Sequence, residues 1–172
     1  VLVENSDVEM PFKVRRKKNI QGKRVIADII AGLINDGDHI IMDPSTTAVF
    51  IVKALSDKKR LTIVTNSIEV LVELADAPGL EVISTGGTLK ENYLALAGPR
   101  AIESINSFHA DKLIMSCKGI DMDKGITDAH EMFSQVKKAM LKSSKQIILA
   151  ADYTKFDNVA FSKICEVADI DM

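Results

Sequence analysis

The sequence predicts an α/β domain with a doubly wound, mostly parallel sheet and helices on both faces. Short runs such as Ile40-Ile41-Met42 and Ile147-Ile148-Leu149 are continuously apolar, as strands covered on both sides must be. Between them lie segments whose apolar residues recur at helical spacing. The 172 residues, 47% apolar and 27% charged, suit one domain with a sizeable core.

The elements follow in order. Residues 1–18 lack periodicity, and Pro11 interrupts any long helix there, so this stretch reads as a linker. From Asn19, the positions Ile20, Val25, Ile26, Ile29, Ile30, Leu33 and Ile34 predict a helix. It should stop at Asn35-Asp36-Gly37-Asp38, with Gly37 in the left-handed C′ position. His39 to Asp43 is a strand, Thr47 to Leu55 a helix, Leu61 to Thr65 a strand and Ile68 to Leu74 a helix. Leu80 to Ser84 is a third strand before a Gly86-Gly87 loop. Leu94 to Ser107 reads as mostly helical, with Gly98-Pro99 awkward inside it. Lys112 to Ser116 is a strand, followed by a Gly/Asp-rich loop to about Ala129. Met132 to Ser143 is a helix, Gln146 to Ala151 a strand, and Ser162 to Val167 a short last strand.

Several function classes are disfavoured. The longest apolar runs fall far short of the ~20 residues of a membrane span, and no signal-peptide pattern opens the chain. Cys117 and Cys165 form no CxxC pair, and His39, His109 and His130 are scattered, so neither a metal nor a cofactor is expected. There is no G-x-x-x-x-G-K-[ST], G-x-G-x-x-G or G-x-S-x-G motif. The net charge of −2 divides into +4 over residues 1–24 and −6 over the rest. An acidic body does not neutralise phosphates along a duplex, and the basic stretch reads as a solvated face or linker.

In open α/β sheets, ligands bind beyond the carboxyl ends of the strands. The first strand is followed by Asp43-Pro44-Ser45-Thr46-Thr47, where hydroxyls and free N–H groups at a helix start form an anion site. Asn66 after the second strand and Gly86-Gly87 after the third are equally placed. Each alone also fits a cap or turn. Lys118 and Asp121 follow the fourth strand, and Asp123-Lys124-Gly125 also fits a tight turn. Asp152 and Lys155 follow the fifth, with Asp152 suited to sugar hydroxyls and Lys155 to a phosphate. These residues predict a pocket for a phosphorylated metabolite.

The order NDGDHIIMDPSTTA, LTIVTNS, VISTGGTL, ADKLIMSCKGID, KGIT and ILAADYTKF resembles the C-terminal sensor domain of the DeoR family of bacterial transcriptional regulators, from about Arg24 to Val167. The resemblance implies a fold similar to ribose-5-phosphate isomerase and glucosamine-6-phosphate deaminase, and a phosphorylated sugar as effector. It implies Asp43, Ser45, Thr46 and Thr47 as the phosphate loop, and Asn66, Gly86, Gly87, Gly119, Asp121, Thr127, Lys137, Asp152 and Lys155 as further pocket positions. The loop departs from the family's Asp-Ser-Gly-Thr-Thr at Pro44-Ser45, and Lys118 replaces a usually small residue. It further implies a winged helix-turn-helix domain before the sensor, so residues 1–18 are expected to be the end of that domain plus linker and residues 19–172 the sensor. Operator DNA is then reached only through the N-terminal domain. A cytoplasmic homodimer or homotetramer that repressed sugar-metabolism genes and made no membrane contact would follow. Two alternatives are a sugar-phosphate isomerase or deaminase with Asp121 as general base, and an oligomerisation domain without a ligand.

Overall fold

The computed structural model describes residues 10–172. Helix α1 (Phe12–Arg16) and helix α2 (Ile20–Leu33) lead into strand β1 (His39–Met42). Helix α3 (Thr46–Ala54), β2 (Thr62–Thr65), α4 (Ile68–Leu74) and β3 (Glu81–Ser84) follow. A hairpin of β4 (Thr88–Lys90) and β5 (Ala95–Ala97) precedes α5 (Pro99–Asn106) and β6 (Ala110–Met115). Next come β7 (Gly119–Asp121), β8 (Gly125–Asp128), α6 (Glu131–Lys142), β9 (Ser144–Leu149) and β10 (Ser162–Cys165).

The main sheet has the order β3-β2-β1-β6-β9, and all four of its pairings are parallel. Alternate residues of its strands feed two cores. Ile40, Met42, Ile63, Ile114 and Ile148 pack with the helices α1 to α4. Ile41, Val64, Leu113, Met115 and Ile147 pack with α5, α6 and the small sheets. Apolar side chains on both faces are what makes the strands continuous runs in sequence. The chain winds from β1 outward to β3, then returns to place β6 on the other side of β1. The crevice between β1 and β6 is therefore the topological switch point.

Four readings change in detail. Residues 12–16, within the stretch read as linker, form α1, and the Pro11 carbonyl accepts from Val14 and Arg15 N–H. Pro11 is the N-cap of this five-residue helix, and residues 1–9 of the expected linker lie outside the described residues. Helix α2 ends at Leu33 with Ile34 extended, and Gly37 is left-handed (φ 86°) in the following turn. There the Asp38 carboxylate accepts from Asn35 N–H at 2.7 Å. The segment from Leu94 is not one helix: Ala95–Ala97 pairs with Thr88–Lys90, and Pro99 occupies the first turn of α5, where its missing N–H is no loss.

The fourth change is the Gly/Asp-rich loop, which is the β7–β8 hairpin extended by β10 into a small antiparallel sheet. The last strand thus stays outside the main sheet. Gly119 faces the Asn158 carbonyl so closely that an added Cβ would lie 2.3 Å from it. Gly119→Ala is expected to lower unfolding free energy by about 1–3 kcal/mol through overpacking. Urea denaturation checks this; an unchanged midpoint would mean that the Asn158 loop yields freely.

Candidate functional site

A cavity of about 320 Å³ opens at the carboxyl ends of β1, β6 and β9. Asp43 at the end of β1 is fully buried. Its Oδ1 accepts from Ser45 N–H at 3.0 Å and its Oδ2 from Ser116 N–H at 2.8 Å. The carboxylate therefore ties the two strand ends together across the switch point. The Ser45 hydroxyl accepts from Ala48 N–H at 3.1 Å and caps α3. Those bonds satisfy two donors at the start of the helix. The N–H groups of Thr46 and Thr47, in the first turn, have no intrahelical acceptor, and both residues line the cavity.

Beneath them, Lys137 of α6 is buried with Nζ 2.6 Å from Asp128, 3.3 Å from Asp43 and 2.7 Å from the Ser116 carbonyl. Burial alone would lower the Lys137 pKa, but Asp128 and Asp43 outweigh it and hold the ammonium well above the usual lysine range. Burial alone would likewise raise Asp128, yet the Lys137 charge and hydrogen bond keep it below the usual carboxylate value. The trio is an internal electrostatic brace.

The signs of these shifts fix a pH profile. A carboxyl depressed in the folded state stabilises above its unfolded pKa of about 3.9 and loses that contribution as pH falls through the lower folded value. A raised lysine stabilises below about 10.4 and loses its contribution as pH rises through the higher folded value. Urea midpoints are expected to hold between about pH 5 and 10 and to fall on the acid side. A midpoint unchanged from neutrality to about pH 3 would contradict the brace.

At the end of β6 stand Ser116, Cys117 and Lys118. Burial pushes the Cys117 thiol up to about 12, so it is a protonated lining group and not a nucleophile. At the end of β9, Asp152 accepts from Thr154 N–H at 3.0 Å and from the Asn19 amide at 2.9 Å. Burial opposes its ionisation, but the Thr154 and Asn19 bonds hold its pKa below the usual range. Lys118 and Lys155 also line the cavity, and the Lys155 charge acts on Asp152, helping to hold its carboxyl down. Tyr93 and Phe133 form an apolar wall, their ring centroids 4.5 Å apart.

Of the fourteen expected positions, the cavity gathers Asp43, Ser45, Thr46, Thr47, Lys118, Lys137, Asp152 and Lys155. The other six do not line it. Asn66 is buried at the end of β2, its amide donating to the Leu96 carbonyl at 2.8 Å. Gly86 and Gly87 are exposed beyond β3, and a Cβ on Gly87 would strike the Ala97 carbonyl. Asp121 caps the β7–β8 turn by accepting from Asp123 and Lys124 N–H, both at 2.9 Å. The Thr127 hydroxyl donates to the Gly119 carbonyl at 3.2 Å and accepts from Ala160 N–H at 2.9 Å. Asp121 and Thr127 thus hold the small sheet that carries Asp128, while Asn66 and Gly87 lie against β5, with the buried Asn66 Oδ1 unpartnered among the described residues.

Lining residues outside the expected set include Arg15, Lys18, Asn19 and Lys23, together with Tyr93, Phe133 and Asp128. The first four come from the basic stretch, whose signal was seven basic residues and no acidic one between Lys13 and Arg24. Among the described residues no group of His, Cys, Asp and Glu is arranged to hold a metal, and no helix is long and apolar enough to cross a membrane.

Residues 18–172 match the DeoR C terminal sensor domain. The chain belongs to this family. It is 39% identical over 170 residues to the HTH-type transcriptional regulator YulB of Bacillus subtilis (strain 168), covering 99% of this chain and 66% of the relative. It is 37% identical over 161 residues to the HTH-type transcriptional repressor GlcR of the same organism, covering 94% of this chain and 62% of the relative. The sensor domain thus spans slightly under two thirds of these regulators. Its fold is similar to that of ribose 5-phosphate isomerase A from Methanocaldococcus jannaschii, with a TM-score of 0.58 at 12% identity over 81% of this chain and 55% of that one. At that identity the likeness is one of fold alone.

Proposed function

We propose that this DeoR sensor domain binds a phosphorylated sugar and is the effector-responsive part of a transcriptional regulator, a repressor of sugar-metabolism genes. One observation carries the reading. At the switch point, Thr46 and Thr47, in the first turn of α3, line one cavity with Lys118 and Lys155. A helix N-terminus with nearby ammonium groups suits a phosphate dianion. Asp152 suits sugar hydroxyls, and the Tyr93–Phe133 wall suits the apolar face of a sugar.

Residues 19–172 are then the sensor, and operator DNA is contacted by a separate domain of the longer regulator. Such regulators read paired half-sites as dimers or tetramers. Sugar-phosphate isomerisation is the weaker reading, because Asp121, the expected base, caps a turn outside the cavity.

Calorimetric titration with phosphorylated sugars, each paired with its free sugar, tests the proposal. A phosphorylated sugar is expected to bind where its free counterpart does not. Lys155→Ala is expected to weaken binding by about 1.5–3 kcal/mol, roughly ten- to a hundredfold. Equal affinity for phosphorylated and free sugar, or an unchanged Lys155→Ala variant, would overturn it.

A further inference from the structure

The basic stretch folds back onto the cavity, and two kinds of contact hold it there. On the outer side, Phe12 is buried in the core beside α3, and Arg16 pairs with Glu69 of α4 at 2.7 Å. Neither contact involves the cavity. On the inner side, Lys23 is only 6% exposed and donates to the Arg15 and Lys18 carbonyls, each at 2.6 Å. Its ammonium thus closes the C-terminal end of α1. Asn19 sits between the helices in the left-handed conformation (φ 47°) and caps neither with its side chain. Its amide reaches across 133 positions to Asp152 instead.

This inner side is electrostatically loaded. Among the described residues, the cavity is lined by Arg15, Lys18, Lys23, Lys118, Lys137 and Lys155 against Asp43, Asp128 and Asp152. Two of the three carboxylates are already engaged by Lys137. Burial and the charges of Lys155 and Arg15 depress the Lys23 pKa, against the pull of Asp152. Like charges gathered in a part-buried site are stabilised by an anion.

We propose that the basic turn joining α1 to α2 is the second wall of the effector site, and that a phosphate dianion bound opposite Thr46 and Thr47 tightens this turn onto the body. Occupancy of the pocket then sets how firmly α1 is held. The Asn19–Asp152 bond is the mechanical link, since Asp152 belongs to the same wall as Lys155. This inference rests on the reading of the cavity as a phosphate site.

Amide hydrogen exchange separates the two claims. Exchange is followed at residues 12–23 and at residues 46–48 with inorganic phosphate, ribose 5-phosphate and glucose 6-phosphate, each against chloride at equal ionic strength. Slowing at both segments is expected, by about tenfold at residues 12–23, equivalent to about 1.4 kcal/mol. Asn19→Ala is expected to abolish the slowing at residues 12–23 and to leave that at residues 46–48. Slowing at residues 46–48 alone in the unsubstituted chain overturns the role of the turn and leaves the phosphate site standing. No slowing at either segment with any of the three probes overturns both.

Discussion

Lys137→Met is expected to destabilise the chain by about 3–5 kcal/mol, the usual consequence of leaving buried charge without its partner. For a domain of this size that is a fall in Tm of roughly 6–20 °C. The methionine side chain fills most of the same volume, so packing alone would make the change mild. The large effect comes from Asp43 and Asp128, which Lys137 holds at 3.3 and 2.6 Å. Adding Asp128→Asn to Lys137→Met is expected to recover part of the loss, because one buried charge is removed with its partner. Thermal unfolding of the single and double variants decides it. A Lys137→Met chain within about 1 kcal/mol of the parent would show that the trio is not a brace.

Phe12→Ala is expected to destabilise by about 3–5 kcal/mol, as for other fully buried aromatic residues. Phe12 is 1% exposed and belongs to the same core as α2, α3 and α4. A linker residue would give a change within about 0.5 kcal/mol. Chemical denaturation with an unchanged m-value distinguishes a weakened single domain from loss of a detachable segment, which would lower m.

Phe12 also marks a limit of what the sequence discloses. The five parallel strands are legible because Ile40, Ile41 and Met42 are buried on both faces, which leaves a continuous apolar run. The place of Asp43, Ser45, Thr46 and Thr47 at the cavity is legible because hydroxyls at a strand-to-helix junction follow from local chemistry. The β4–β5 hairpin is not: Leu94, Ala95, Leu96 and Ala97 favour helix intrinsically, and their pairing with Thr88–Lys90 is a tertiary choice. Asp121 and Thr127 have the right residue type for a pocket, but their side chains serve the small sheet. The basic turn is hidden for a different reason. A run of lysines and arginines describes a solvated face equally well, and only tertiary contacts such as those of Lys23 and of Asn19 with Asp152 distinguish them.

The most direct measurement is a crystal structure of this domain with the phosphorylated sugar that binds most tightly by calorimetry. The phosphate is expected at the start of α3, its oxygens about 2.7–3.2 Å from the N–H groups of Thr46 and Thr47, with the Lys155 ammonium on it and sugar hydroxyls on Asp152. A phosphate bound away from Thr46 and Thr47, or a sugar held with its phosphate in solvent, would contradict the assignment of this cavity as the effector site.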